Sequence, residues 1–289
     1  MINEEEEVST MFVVSELLFY LIISILILLI APSFIIYPGL YYGRWKTKGP
    51  VFELLTNDNT KIEGLILLAP DKNNCESTIL FFHGNTGNIG SRSQFLQDLN
   101  TNLNANVLSI DYRGFGNSYG FPSESGLIND AESIFQRIIN DEKFNKTKKI
   151  IYGHSLGGAV AIALAEKVEG IDGVIIENSF TSIKSVVSEK QPFNKIPGFI
   201  LDIALYPNSW NSLERMGKLD SKINWLFISG RKDNIVNPKH MDKLFEQCKS
   251  KSKNIKIVEE GEHNNTYSIC KDYYSILKTF VNKIDPKNQ

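Results

Sequence analysis

The chain has 289 residues, is 42% hydrophobic and carries a formal net charge of −2. That is enough apolar material for an N-terminal appendage plus one domain of about 240 residues, a usual size for an α/β architecture. The near-neutral balance and scattered lysines leave no electrostatic footprint for nucleic acid. Cys75, Cys248 and Cys270 make neither a disulfide framework nor a metal-ligand pattern, so no metal or cofactor is expected.

The N-terminus differs in kind from the rest. An acidic tail over residues 1–16, with Glu4 to Glu7, precedes Leu17 to Ile36, which reads LLFYLIISILILLIAPSFII, 20 residues without a charge. An α-helix of that length crosses a hydrocarbon core of roughly 30 Å. A cleavable signal peptide wants a basic leader and a shorter apolar core. The expectation is a transmembrane anchor over residues 17–37, with Tyr37, Tyr41, Tyr42 and Trp45 in an interfacial aromatic belt and the lipid bilayer as a partner. A linker over 38–50, punctuated by Gly49-Pro50, leads to a domain expected to hold its own core from there onward.

Val51 to Leu55 and Lys61 to Leu68 read as two strands joined by the turn Asn57-Asp58-Asn59, an antiparallel hairpin at a sheet edge. From there short apolar strands alternate with helices. Thr78 to Phe82 is a strand, followed by a helix around Ser91 to Asn100; Asn106 to Ile110 is a strand, followed by a helix from about Ser125 to Asp141. Further strands are expected at Ile150-Ile151, Gly173 to Ile176, Trp225 to Ile228 and Ile255 to Val258, with a closing helix from about Tyr273 to Ile284 and a C-terminal tail over 285–289. This rhythm implies a mostly parallel sheet covered on both faces, in one domain over 51–284. Residues 181–222 break it. They are punctuated by Pro192, Pro197 and Pro207 and contain the apolar piece Phe199 to Tyr206, which fits a small lid or a plain connecting helix.

The chemistry centres on Gly153-His154-Ser155-Leu156-Gly157. It lies between a β-branched strand and a helix-prone stretch, the setting of a nucleophile elbow. A serine hydroxyl is a poor nucleophile near pH 7 and needs a base, an acid to orient the base, and an oxyanion hole. Four histidines are available. His154 adjoins the serine and should project elsewhere, His83 precedes the Gly84 turn, and His240 lies in a charged pattern read as a helix surface. His263 follows the last strand at the carboxyl edge of the sheet and is the expected base. Asp233, after the strand ending at Ile228, is the expected acid, with Glu177 the runner-up. The order Ser155, Asp233, His263 is that of α/β-hydrolases. The oxyanion donors are expected to be the backbone N–H of Leu156 and that of Asn85 or, next, Thr86, in the glycine-flanked loop His83 to Asn88.

Taken together, Phe82-His83-Gly84-Asn85-Thr86-Gly87-Asn88-Ile89-Gly90, Asp111-Tyr112-Arg113-Gly114-Phe115-Gly116, Gly153 to Ala161, Glu177-Asn178-Ser179-Phe180, Ile228-Ser229-Gly230 with Asp233, and Gly261 to Thr266 resemble the AB-hydrolase domain-containing proteins. The similarity is to the single-pass membrane branch of ABHD-thirteen and the yeast Bem46 proteins, and it runs from about Pro50 to Ile284. Relatives often have Arg at the position of His154 and Ala at that of Thr86. The resemblance implies an α/β-hydrolase fold and a serine hydrolase whose relatives include protein depalmitoylases.

Three functions remain open: a membrane-tethered hydrolase of acyl esters or thioesters, such as those of S-palmitoylated proteins; a lipid or lysolipid esterase; and an idle scaffold. The partner would be an acylated protein or a lipid, in an endomembrane or the plasma membrane. Arg44, Lys46 and Lys48 follow the anchor and no Lys or Arg precedes it, which favours a cytosolic domain, whereas the resembling family is usually described as type II. Asn145 and Asn264 open glycosylation sequons.

Overall fold

The structure is a computed structural model that describes residues 14–23, 36–37, 47, 49–219 and 222–284. The expectations for most of the acidic tail, for residues 24–35 of the apolar stretch, for most of the linker and for residues 285–289 lie outside the described residues. Among the described residues, no helix is long and apolar enough to cross a membrane. Residues 14–23 are helical (α1), and their side chains Leu17 to Ile22 are exposed.

Eight strands form one sheet: β1 (Val51–Leu55), β2 (Lys61–Leu67), β3 (Ser77–Phe82), β4 (Asn106–Ile110), β5 (Lys148–His154), β6 (Gly173–Glu177), β7 (Asn224–Gly230) and β8 (Lys253–Val258). Their order is β1-β2-β4-β3-β5-β6-β7-β8. The hairpin β1–β2 is antiparallel and joins β4 antiparallel, and every pairing from β4 to β8 is parallel. Parallel strands need crossovers, and the sequence supplies α2 (Ile89–Leu103), α3 (Glu124–Asn140), α4 (Leu156–Lys167) and α8 (Lys239–Gln247) among them, while α10 (Tyr273–Lys283) follows the last strand. Strand alternation divides the core between the two faces. Leu80, Phe82 and Ile151 pack with Leu127, Ile134 and Val160 on one side, and Ile79, Phe81 and Ile150 with Leu96, Leu99 and Leu277 on the other.

The helix starts explain themselves locally. Asn88 accepts from the Ser91 N–H while the Ser91 hydroxyl completes a capping box, and Ser123 accepts from the Gly126 N–H at the start of α3. Such caps contribute about 1 kcal/mol each. The helix α4 has none: its N-cap position is Ser155, whose side chain makes no capping bond.

Between β6 and β7 the chain forms α5 (Ile183–Ser188), α6 (Gly198–Leu205) and α7 (Ser212–Lys218), more than one connecting helix. Leu201 and Leu205, one turn apart, are buried. Phe199, Ile200, Ile203 and Tyr206 face outward, with Ile203 74% exposed. This segment is tied down by a residue expected at the surface. His240 of α8 is buried, and its Nδ1 lies 2.8 Å from the Thr181 hydroxyl and 3.3 Å from the Thr181 nitrogen. The face carrying Met241 and Leu244 packs inward and takes His240 with it.

The core also reaches further back than Pro50. Ile36 and Tyr37 are buried, Tyr37 completely. The Tyr37 hydroxyl donates to Asn208 Oδ1 (3.1 Å) and accepts from Trp210 Nε1 (2.7 Å). Tyr37 is therefore not part of an interfacial belt, and Ile36 does not face lipid. Both found partners inside the domain.

Candidate active site

The parallel strands β5, β6, β7 and β8 end at one edge, and the loops leaving them converge there. At the end of β5 the chain turns into α4 through Ser155, which has φ 56° and ψ −117°. A non-glycine residue there costs of order 1–3 kcal/mol and persists only where its surroundings dictate it. They do so by close backbone approach. A Cβ on Gly153 would lie 2.1 Å from the Gly157 carbonyl oxygen, and one on Gly157 would lie 2.0 Å from that of Phe82. The Ser155 N–H donates to the Glu177 carbonyl at 2.8 Å, and the Ser155 carbonyl accepts from the Ser179 hydroxyl at 2.9 Å. The elbow is thus clamped between β3 and β6.

His263 lies in the loop after β8 and Asp233 in the loop after β7; Gly230 and Val258 pair at the strand ends, so the two loops leave the sheet side by side. His263 Nδ1 is 2.7 Å from Asp233 Oδ2, and His263 Nε2 is 2.9 Å from Ser155 Oγ. A carboxylate only accepts, so Nδ1 carries the proton and Nε2 is left to accept from the serine hydroxyl. The other carboxylate oxygen accepts from the Ile235 and Val236 N–H groups at 2.9 and 2.8 Å, which fixes its orientation.

Glu177, the runner-up acid, is used differently. It accepts hydrogen bonds from Tyr273 (3.0 Å), Tyr152 and Thr266. Burial raises its pKa above the ordinary carboxyl range. It ties β6 to α9 (Thr266–Ile269) and α10, below the loop of His263.

The loop after β3 passes against Ser155. A Cβ on Gly84 would sit 3.4 Å from the Ser155 Cβ and 3.1 Å from His154 Nδ1. Leu156 opens α4 directly after the serine. Asn85 is half-buried and Thr86 is exposed, and the Asn85 side-chain amide donates to the Ile36 carbonyl. Behind this loop His83 Nε2 faces Asp111 Oδ1 at 3.6 Å. Burial pushes the His83 imidazole down to about 4 and the Asp111 carboxyl up to about 7, so they do not meet as an ion pair.

Two residues of the site have no role in the sequence reading. His154 Nε2 donates to the His263 carbonyl oxygen at 2.7 Å, and the Asn178 amide donates to the same oxygen at 3.0 Å. Asn178 Oδ1 also accepts from the Gly230 N–H at 2.8 Å. It thereby links the exit of β7 to the loop after β8. The only sequence signal for Asn178 is its place in the run Glu177 to Phe180; its φ of 49° is a left-handed value that asparagine tolerates better than most residues.

Ser155 and His263 are 8% and 7% exposed. A cleft of about 500 Å³ lies elsewhere, lined by Ala165 to Asp172 and Asn224. That is the amino end of β6 and β7, away from the converging loops. Among the described residues, no group of three or more His, Cys, Asp or Glu could hold a metal ion.

A family model described as serine aminopeptidase, S33, matches residues 73–209, a span that includes the loop after β3 and Ser155 and ends before Asp233 and His263. Protein bem46 of Schizosaccharomyces pombe is 36% identical over 236 residues, 81% of this chain and 76% of that protein. The uncharacterized membrane protein YNL320W of Saccharomyces cerevisiae is 39% identical over 229 residues, 79% of this chain and 78% of that protein. Among solved structures, the Pyrococcus furiosus esterase Pf2001 superposes with a TM-score of 0.64 at 19% identity, covering 84% of this chain and 94% of its own. A soluble variant of the Saccharomyces cerevisiae monoglyceride lipase gives 0.61 at 17% identity, with coverages of 83% and 97%. At such identities the structures speak to the fold.

Proposed function

The chain belongs to the Bem46 branch of the AB-hydrolase domain-containing proteins, and from that premise we propose that it is a membrane-anchored serine hydrolase. It cleaves acyl esters or thioesters through Ser155, Asp233 and His263. The observation that carries this reading is the hydrogen-bonded chain from Asp233 through His263 to Ser155, at a serine held in an elbow conformation.

The chemistry follows from that chain. His263 Nε2 takes the serine proton as Oγ attacks the acyl carbonyl carbon, and the imidazolium is stabilised by Asp233. The negative charge moves to the carbonyl oxygen, where the N–H groups of Leu156 and of Asn85 or Thr86 receive it, each donor worth roughly 3 kcal/mol in the transition state. His263 then returns the proton to the leaving alkoxide or thiolate, and the acyl group stays on Ser155. A water molecule, deprotonated by the same nitrogen, releases the acid and restores the serine.

Two features favour long acyl chains at a membrane. The lid helix α6 turns Phe199, Ile203 and Tyr206 outward, and the uncharged stretch Leu17 to Ile36 suits an anchor, as does the word membrane in the name of the yeast relative. An S-acylated protein is the substrate we favour, and a lysolipid is the second reading, because α6 suits both. The basic residues Arg44, Lys46 and Lys48 favour a cytosolic domain.

A fluorophosphonate probe tests the reading directly. The native protein in membranes is expected to be labelled on Ser155 and to release acid from acyl-protein thioesters faster than from lysolipids. No labelling under any condition would leave only the idle scaffold. Faster lysolipid turnover would move the substrate to the second reading.

A further inference from the structure

Ile36 and Tyr37, the end of the apolar stretch and the residue after it, are set into the roof of the catalytic domain. On one side, the Asn85 side-chain amide donates to the Ile36 carbonyl. On the other, the Tyr37 hydroxyl bridges Trp210 Nε1 and Asn208 Oδ1 at 2.7 and 3.1 Å, both in the segment between α6 and α7. That segment is fixed in turn by Glu124 at the start of α3. Its N–H donates to Asn208 Oδ1 at 2.8 Å, and its carboxylate accepts from the Trp210 N–H at 2.7 Å and from Arg215 Nη2 at 3.0 Å.

The backbone of Trp210 shows how much this network holds. Its φ is 45°, a value a bulky side chain reaches only when its surroundings over-determine it. Trp210, Asn208 and Tyr37 are all essentially solvent-free, so each polar atom there depends on its partner.

We infer that Ile36 and Tyr37 are positioning residues for hydrolysis: they fix the oxyanion loop through Asn85 and the lid through Trp210. Ile36 and Tyr37 then belong to the domain that carries the active site. The inference rests on the proposed hydrolase reading, because it assigns the loop of Asn85 to the oxyanion hole. A loop displaced by about 1 Å lowers turnover by as much as 10²-fold, and it does so in the transition state more than in substrate binding.

The test uses the full-length protein in detergent and a soluble short-chain ester. Two conservative changes are made, Tyr37→Phe, which removes only the hydroxyl, and Asn85→Ala, which keeps the backbone N–H and removes the tie to Ile36. Each is expected to lower kcat and kcat/KM together by about tenfold and to slow fluorophosphonate labelling equally, with KM nearly unchanged. The double variant should lose less than the product of the two, since both act on one unit. If both variants keep kcat within twofold of the native protein, or lose thermal stability alone, the positioning role is overturned while the hydrolase reading stands. If the native protein itself neither labels nor hydrolyses the ester, the hydrolase reading is what falls.

Discussion

The imidazole of His154 donates from Nε2 to the carbonyl oxygen of His263 at 2.7 Å. The residue before the proposed nucleophile thus holds the backbone of the proposed base, and burial keeps its own pKa well below the ordinary histidine value. It acts as a neutral donor.

Replacing that donor, His154→Leu, retains comparable bulk and removes the hydrogen bond. Asn178 still holds the carbonyl, so a partial loss is expected, about tenfold in kcat with KM little changed. Steady-state kinetics on a soluble ester decide; full activity would make His154 a packing residue.

Ser155→Ala is expected to abolish fluorophosphonate labelling and turnover while leaving the circular dichroism spectrum and melting temperature close to native. Alanine meets the same left-handed backbone cost as serine, and the hydroxyl makes no capping bond to α4. Retention of most of the activity would transfer the nucleophile elsewhere.

Asp233→Asn and Glu177→Gln should separate cleanly. The first leaves the imidazole in the wrong tautomer, which costs on the order of 10⁴ in kcat in a well-studied protease. The second keeps a side chain able to accept from Tyr152 and Tyr273 and should change kcat by less than about tenfold. Equal losses in the two would mean that another group orients His263.

Asp111→Asn should change how stability depends on pH. Burial raises the Asp111 carboxyl to about 7 in the folded protein, against about 3.9 unfolded. The folded state therefore binds more protons between those values, and stability from this group is present below about pH 4 and lost as pH rises through 7. Asparagine does not titrate and can still accept from the Ile89 N–H, as Asp111 Oδ1 does at 2.7 Å. The variant should gain on the native protein between pH 5 and pH 8, by at most about 2.7 kcal/mol. Paired melting temperatures at the two pH values measure it, and a constant difference would refute the shift.

Ile203→Asp places a charge on the outward face of α6, where Ile203 is 74% exposed. Folding should be almost unaffected, because surface changes usually stay within about 0.5 kcal/mol. Activity toward a vesicle-bound acyl substrate should fall several-fold more than activity toward a soluble ester. Equal effects on both would detach α6 from membrane access.

The sequence by itself determined the elements and their order along the chain. All eight strands lie where β-branched and aromatic runs predict them, since strand and helix periodicity is written into neighbouring residues. The elbow is equally local: Gly153 and Gly157 are required by backbone contacts that any strand–serine–helix turn creates. Asp233 and Glu177 both follow strands in the sequence; the 2.7 Å contact of Asp233 with His263 belongs to the tertiary structure. Tertiary structure alone decided which side chains those loops meet. His240 sits in a run of charged residues, and only the packing of Met241 and Leu244 turned it inward against Thr181. Glu177 lies at a strand end that suits an acid, but Tyr152, Tyr273 and Thr266 reach it first. Tyr37 has the sequence of a membrane-interface residue, yet its hydroxyl bonds to Asn208, 171 positions away. Local patterns fix which face of an element is apolar; they carry no term for a partner so distant in the chain, and burying a polar group is decided by whether that partner is there.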